Sequence, residues 1–311
     1  RRGSVEREFS GGIWPVMLTP FLKTGEIDYE GVEKIVDWYV EQGSSGLFAV
    51  CQSSEMFELT PQERLDLIRF VVQNTPKHIG IIASGHCAEK VEDQIREAQA
   101  AIDAGVGSYV FISNQFAKED EDEDVAKQNI EYLLDHIDAE SFGIYECPYP
   151  YKRLVSPELL KWCAETGKFT FLKDTCCDVE QLRAKVEAVK GTPMKIFNAN
   201  GATLLESLKM GCHGYSGVMA NFHPDLYVWL CRNFDKEPER AEIMMNYLGA
   251  ASTFECQVYP CNSKYHMKLE GVNITTKSRR QDDALLTPNR LLEVEQFHAH
   301  TEYFRKTFFG K

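Results

Sequence analysis

The feature that most constrains this 311-residue chain is an alternation. Short apolar segments rich in β-branched and aromatic residues recur at intervals of roughly 25 to 35 residues: 12–18 (GIWPVML), 46–50 (GLFAV), 78–83 (HIGIIA), 108–113 (SYVFIS), 142–145 (FGIY), 168–173 (KFTFLK), 194–197 (MKIF) and 214–218 (GYSGV). Runs of this length and composition read as buried strands. The segments between them carry helix signals. Val32, Ile35, Val36, Tyr39 and Val40 fall at the spacing of one helical face. Thr60-Pro61-Gln62-Glu63 forms a capping box with proline at the first helical position, and Ser156-Pro157-Glu158 opens another helix. The acidic run at 118–128 precedes Ile130, Leu133 and Leu134; it suits a solvated face and the positive end of a helix dipole.

Eight βα units in strict alternation require parallel strands with helical crossovers, and eight is the number that closes a barrel. The competing doubly wound sheet usually carries a Gly-rich phosphate turn after its first strand, where this chain has TPFLKTGEID. The expected fold is therefore α/β, a (β/α)8 TIM barrel over residues 12–235. Beyond about 236 the strand signal fades, so 236–311 is expected to form a C-terminal helical extension packed on the barrel, with an irregular stretch at 273–283 (NITTKSRRQDD).

A net charge of -13 argues against nucleic acid or an anionic membrane surface as the main partner, since both need a basic footprint. A small molecule is the better default. No apolar run approaches the length of a membrane span, and RRGSVEREFSGG lacks the apolar centre of a signal peptide. The expectation is a soluble, cytoplasmic protein in which residues 1 to about 10 are a remnant or trimmed tail. The ten cysteines are scattered without a CxxC pair, which fits free thiols in a reducing compartment and makes a zinc site a poor expectation.

In a TIM barrel the chemistry sits at the C-terminal ends of the strands. Those ends carry Cys51-Gln52-Ser53-Ser54-Glu55, Ser84-Gly85-His86, Ser113-Asn114-Gln115-Phe116, Tyr145-Glu146-Cys147-Pro148, Lys173-Asp174, Asn198-Ala199-Asn200 and Ser216-Gly217. The set is polar and has no metal-ligand cluster, because His86 stands alone and is more simply structural or substrate-touching. Lys173 ends the apolar run Phe169-Thr170-Phe171-Leu172. Such a lysine commonly snorkels to the surface. Pointing into a barrel mouth it is instead desolvated, which matters because roughly one lysine in 2,500 is neutral at pH 7 at the unperturbed pKa. A neutral amine beside the phenol of Tyr145 suits Schiff-base chemistry on a ketone, with the tyrosine moving protons.

Five segments in order resemble the dihydrodipicolinate synthase and N-acetylneuraminate lyase family of class I, pyruvate-handling aldolases. PVMLTPF (15–21) is similar to the family's first strand, and CQSSEMFELT (51–60) stands where its G-[ST]-[ST]-G-E turn does. YECP (145–148) stands where its Y-N-x-P motif does, FLKDTCCD (171–178) matches G-x-K-[DE], and GCHGYSGVMANFHP (211–224) resembles the strand-eight loop. The resemblance implies an imine on Lys173 with a 2-oxo acid and Tyr145 as general acid/base. It places the substrate carboxylate on the Ser53 hydroxyl and backbone N–H beside the Ser54 backbone, with Ser216 lining the pocket. It also implies no cofactor or metal, and a homotetramer or homodimer.

The chain departs from the pattern at Gln52, which takes the first hydroxyl position of the turn, and at Cys51 and Ser54 in the flanking glycine positions. Phe116 falls where the synthase carries a tyrosine that it lends to a neighbouring subunit. Pro150 falls where it carries an arginine for the second substrate, although Lys152 and Arg153 lie close by. The departures point to a lyase acting on a sugar acid or related hydroxylated 2-oxo acid. The alternatives are 4-hydroxy-tetrahydrodipicolinate synthase and, from another class, an inactive barrel that binds a 2-oxo acid.

Overall fold

A computed structural model describes residues 7–311. Eight parallel strands follow one another around a ring: β1 (Gly12–Ile13), β2 (Gly46–Phe48), β3 (Gly80–Ala83), β4 (Ser108–Ile112), β5 (Phe142–Tyr145), β6 (Phe169–Asp174), β7 (Lys195–Asn198) and β8 (Gly214–Tyr215). Their order, β1-β8-β7-β6-β5-β4-β3-β2, leaves one junction, which Val16 closes by a parallel bridge to Phe48. This is the (β/α)8 TIM barrel. The first strand is shorter than the run 12–18 suggests, because Pro15 has no N–H to give the ladder; its carbonyl instead accepts from the Phe48 N–H at 2.9 Å. Strand β8 also stops early, at Tyr215, before a turn of 3-10 helix at Val218–Asn221. The β1–β8 approach depends on glycine, since a Cβ on Gly214 would lie 1.9 Å from the Gly12 carbonyl oxygen.

Helices α1 (Tyr29–Glu41), α2 (Pro61–Asn74), α3 (Val91–Asp103), α4 (Glu123–His136), α5 (Pro157–Glu165), α6 (Val179–Val189), α7 (Leu204–Met210) and α8 (Pro224–Asn233) form the crossovers and the outer layer. Local chemistry sets their starts. In α2 the Thr60 hydroxyl accepts from the Glu63 N–H at 3.1 Å while Glu63 accepts from the Thr60 N–H at 3.0 Å, the reciprocal bonds of a capping box. Ser156 caps α5 through the Leu159 N–H, and Asp122 caps α4, so the acidic run ends as a helix start.

Side chains alternate across each strand, so Phe171 and Lys173 share the inner face of β6 while Leu172 and Asp174 face the helices. Phe171 stacks on Phe197 at 4.8 Å and meets Phe48 at 6.0 Å. Below them Trp14 meets Phe171 and Phe197, and Phe9 meets all three rings. Residues 7–10 are thus no loose tail. Phe9 plugs the floor of the barrel, and Arg7 donates to the carbonyls of Val72, Thr75, Pro76 and Ile79. Residues 1–6 of the expected tail lie outside the described residues.

Helices α9 (Pro238–Ala251), α10 (Cys261–Leu269) and α11 (Pro288–Phe309) follow the barrel. Met244, Met245 and Leu248 share an apolar cluster with Leu204, Tyr215 and Leu226 of the barrel, and Phe297 and Phe304 pack against it. Among the described residues no helix is long and apolar enough to cross a membrane.

Candidate active site

The pairing of β5 with β6 sets Tyr145 directly opposite Lys173. Both side chains point into the upper barrel, and the Lys173 Nζ lies 4.4 Å from the centre of the Tyr145 ring. Lys173 is only 4% exposed. Burial lowers its ammonium from the ordinary 10.5 to about 8, against weaker opposing effects of Cys51, Cys147 and Glu255. Burial also raises the Tyr145 phenol well above its usual value, so at neutral pH it is a proton carrier and not a phenolate. Its hydroxyl donates to Gln52 Oε1 at 3.0 Å.

One residue beyond each of these groups, the strands turn a carboxylate outward. Lys185 of α6 donates to Glu146 at 2.9 Å and to Asp174 at 2.6 Å, all three side chains being sealed from solvent. Glu146 also accepts from the N–H groups of Thr175 and Val155, and Asp174 accepts from the Cys176 N–H. Burial, with Asp174 second, raises the Glu146 carboxyl, while Lys185 pulls it down. This bolt ties the ends of β5 and β6 to α6, so the Lys173–Tyr145 pair rests on a fixed backbone.

The Cys51–Glu55 turn faces the pair from β2. Gln52 reaches Tyr145, and the Ser53 hydroxyl receives a hydrogen bond from Tyr259 at 2.7 Å. Ser54 does not face the mouth as the sequence suggests: its hydroxyl donates to the Met17 carbonyl at 2.6 Å, and its N–H to the Cys51 carbonyl at 3.1 Å. With a side chain where the family has glycine, the turn uses Ser54 to hold itself. Glu55, at a left-handed φ of 65°, anchors the turn by accepting from Lys264 Nζ at 3.0 Å, from the Ser278 hydroxyl and from the N–H groups of Arg279 and Arg280.

Other expected residues are placed differently. The Ser216 hydroxyl donates to the Trp14 carbonyl at 2.7 Å, clasping β8 to the chain beyond β1. Phe116 is 1% exposed and packs on Phe111 and His86, so it belongs to the core and not to the mouth. Arg153 is committed to the carbonyls of Lys118 and Glu121 and to the Tyr151 hydroxyl, and Lys152 donates to the Thr175 carbonyl. Neither cation is turned to a second carboxylate. His86 is structural: its Nδ1 accepts from the Ile112 N–H at 3.0 Å, which leaves Nε2 to donate to Gln94 at 2.7 Å.

Sequence reasoning missed the contribution of the segment between α9 and α10. It returns over the mouth, bringing Tyr259 to Ser53 and Glu255 into the field of Lys173. Burial raises the Glu255 carboxyl and Lys173 lowers it; the carboxylate makes no hydrogen bond among the described residues. The one available hint was Tyr259-Pro260 interrupting an otherwise helical region.

A family model for the dihydrodipicolinate synthetase family matches residues 9–281. The 4-hydroxy-tetrahydrodipicolinate synthase of Psychrobacter arcticus is 26% identical over 213 residues, covering 68% of this chain and 69% of the relative. That of Methanococcus aeolicus is 24% identical over 261 residues, covering 83% and 88%. In fold, the chain is similar to YagE, an E. coli prophage protein of the dihydrodipicolinic acid synthase family solved with pyruvate, with a TM-score of 0.84 at 21% identity over 94% of this chain and 98% of that one. It is equally similar to CdNal from Clostridium difficile, solved with mannosamine, with a TM-score of 0.84 at 16% identity over 94% and 99%. Eight parallel strands, a buried lysine against a tyrosine at their upper ends and a family match over most of the sequence lead to one assignment: the chain belongs to the dihydrodipicolinate synthetase family of class I, pyruvate-handling aldolases and lyases.

Proposed function

We propose that this enzyme cleaves or forms a carbon–carbon bond in a hydroxylated, pyruvate-derived 2-oxo acid, probing the ketone with Lys173 and moving protons with Tyr145. The observation that carries the reading is the buried Lys173, its ammonium lowered to about 8 and its Nζ against the Tyr145 ring. In the cleavage direction the neutral amine adds to the ketone carbon, and the carbonyl oxygen leaves as water to give the iminium. The C4 hydroxyl then loses its proton, the C3–C4 bond breaks, an aldehyde departs, and the electron pair enters the nitrogen as an enamine. Protonation at C3 and hydrolysis return pyruvate and the free amine. Ser53 is the natural seat for the substrate carboxylate.

Two features support a sugar acid as substrate. Lys152 and Arg153, which closely follow the position of the missing arginine in sequence, are engaged with backbone carbonyls. Glu255 adds a negative charge near Lys173, which disfavours a second carboxylate and offers an acceptor to hydroxyl groups. A second reading, 4-hydroxy-tetrahydrodipicolinate synthase, is supported by the names of the curated relatives.

Borohydride reduction with pyruvate should leave a covalent adduct on Lys173 detectable by peptide mass. Absence of an adduct across a panel of 2-oxo acids would sink the Schiff-base reading in favour of an inactive binding barrel. Pyruvate release from a sugar-acid panel, run beside condensation of pyruvate with aspartate semialdehyde, separates the two substrate readings. We also propose a homodimer or homotetramer in the cytoplasm. Family membership supports assembly, and ten unpaired cysteines support a reducing compartment; a monomer by light scattering would remove the former.

A further inference from the structure

We propose that Tyr259 is a positioning residue for the carboxylate subsite: it fixes the Ser53 hydroxyl as a hydrogen-bond donor toward the 2-oxo acid. The proposal rests on the seat assigned to Ser53 above.

The argument is one of direction along a chain of hydrogen bonds. The Leu18 N–H donates to the Tyr39 hydroxyl at 3.2 Å, and that hydroxyl donates to Asn221 Oδ1 at 2.5 Å. The Asn221 amide has one orientation, because its Nδ2 also faces the Val16 carbonyl at 2.8 Å, and a carbonyl can only accept. The second Nδ2 hydrogen goes to the Tyr259 hydroxyl oxygen at 3.1 Å. Tyr259 therefore gives its own proton to Ser53 Oγ at 2.7 Å. Asn221 and Tyr39 are fully buried, so no exchange with water scrambles this order.

The consequence falls on Ser53. Its oxygen is occupied as an acceptor, and its proton has no acceptor among the described residues. A serine in solution turns its hydroxyl to suit either a donor or an acceptor; this one is primed for an anion. An ionised carboxylate accepts this proton through either oxygen in a charge-assisted bond, whereas an amide has only one, neutral, acceptor oxygen and presents N–H groups on its other side. The chain begins at the backbone beyond β1, passes through α1 and the strand-eight loop, and ends on a residue from the segment after α9. That segment thus tunes the site without touching the reacting carbon.

The test uses the full-length enzyme with pyruvate and pyruvamide, its uncharged counterpart, each trapped on the enzyme with borohydride. Tyr259→Phe should raise the half-saturating pyruvate concentration tenfold or more, a larger change than in the maximal trapping rate, and should reduce the preference for pyruvate over pyruvamide by a similar factor. Ser53→Ala should give the same loss, and the double variant should lose no more than either single one. Asn221→Asp is the second variant. It removes the donor to Tyr259 at constant size, so Tyr259 turns to the new carboxylate and the same loss of preference follows. An unchanged preference for pyruvate in whichever of these variants folds, or additive losses in the double variant, overturns the proposal. If the wild-type enzyme traps pyruvate and these outcomes appear, only the Tyr259 proposal fails; if it traps no 2-oxo acid, the reading of Lys173 fails first.

Discussion

Burying the Lys173 ammonium costs the fold stability. Its ammonium value falls from 10.5 in an ordinary lysine to about 8 here, a difference that corresponds to about 3 kcal/mol. The unfolded chain holds this proton up to about pH 10.5 and the folded one only to about pH 8, so the cost is fully present below pH 8 and fades as pH rises toward 10.5. Lys173→Met should therefore be inactive yet more stable than wild type by about 3 kcal/mol at pH 7 in denaturant titrations. That advantage should shrink steadily above pH 8; equal stability at pH 7 would show that the lysine is not desolvated. For the same reason kcat/KM should climb with pH and level off above about 8, the limb reporting the free amine. Tyr145→Phe should cut turnover by roughly two to four orders of magnitude, the usual weight of general acid–base catalysis. Near-normal turnover would mean that another group carries the proton. The amide oxygen of Gln52 only accepts, so it can hold the Tyr145 proton in line but cannot relay it.

At the scale of elements, the strands and crossover helices were legible because their signals are local. Capping residues at 60–63 and 156–158 and the short continuous apolar runs need no partner to be recognised. Lys173 and Tyr145 followed, since counting strands puts both at the same end of the barrel. Tyr259, Glu255 and the Glu55 anchor were not legible, because each depends on where a distant segment returns. The sequence marks 273–283 only as irregular, yet its backbone N–H groups at Arg279 and Arg280 converge on Glu55 beside the ammonium of Lys264. Glu55→Ala should cost about 3–5 kcal/mol, because it leaves Lys264 buried without its carboxylate. Denaturant unfolding would measure the loss. Limited proteolysis should meanwhile cut after Arg279 or Arg280 well before global unfolding; cleavage no faster than in wild type would show that Glu55 does not hold the segment.

At the scale of the whole molecule, the barrel and the C-terminal helices share a junction built around two buried histidines. His223 and His266 are both fully buried and their ring nitrogens have no partner among the described residues. His223 packs beside Tyr227 and Phe297, and His266 beside Phe222, Phe297 and His298. Burial first, and then Arg305, pushes His223 down to about 3; His266 is also pushed well down, first by burial and then by its histidine neighbours. Depressed folded values mean that the unfolded chain takes up the protons first. The stability these rings confer is whole above about pH 6.5 and is lost as pH falls toward 3. Amide exchange at α8, α10 and α11 should accelerate below pH 6, and His223→Phe should flatten the acid limb by up to about 1.4 kcal/mol per pH unit. An unchanged limb would place the acid sensitivity elsewhere. At the opposite end, Phe9 packs on Trp14, Phe171 and Phe197 and closes the barrel floor beneath Lys173, so reactants are expected to pass through the mouth. If Lys173 carries the imine as proposed, what enters last must leave first, and a half-substrate held on the lysine stays behind the departing aldehyde. The kinetics of cleavage should then follow the order of a queue: pyruvate, innermost and last to go, inhibits competitively against the 2-oxo acid substrate, while the aldehyde, first to go, inhibits non-competitively.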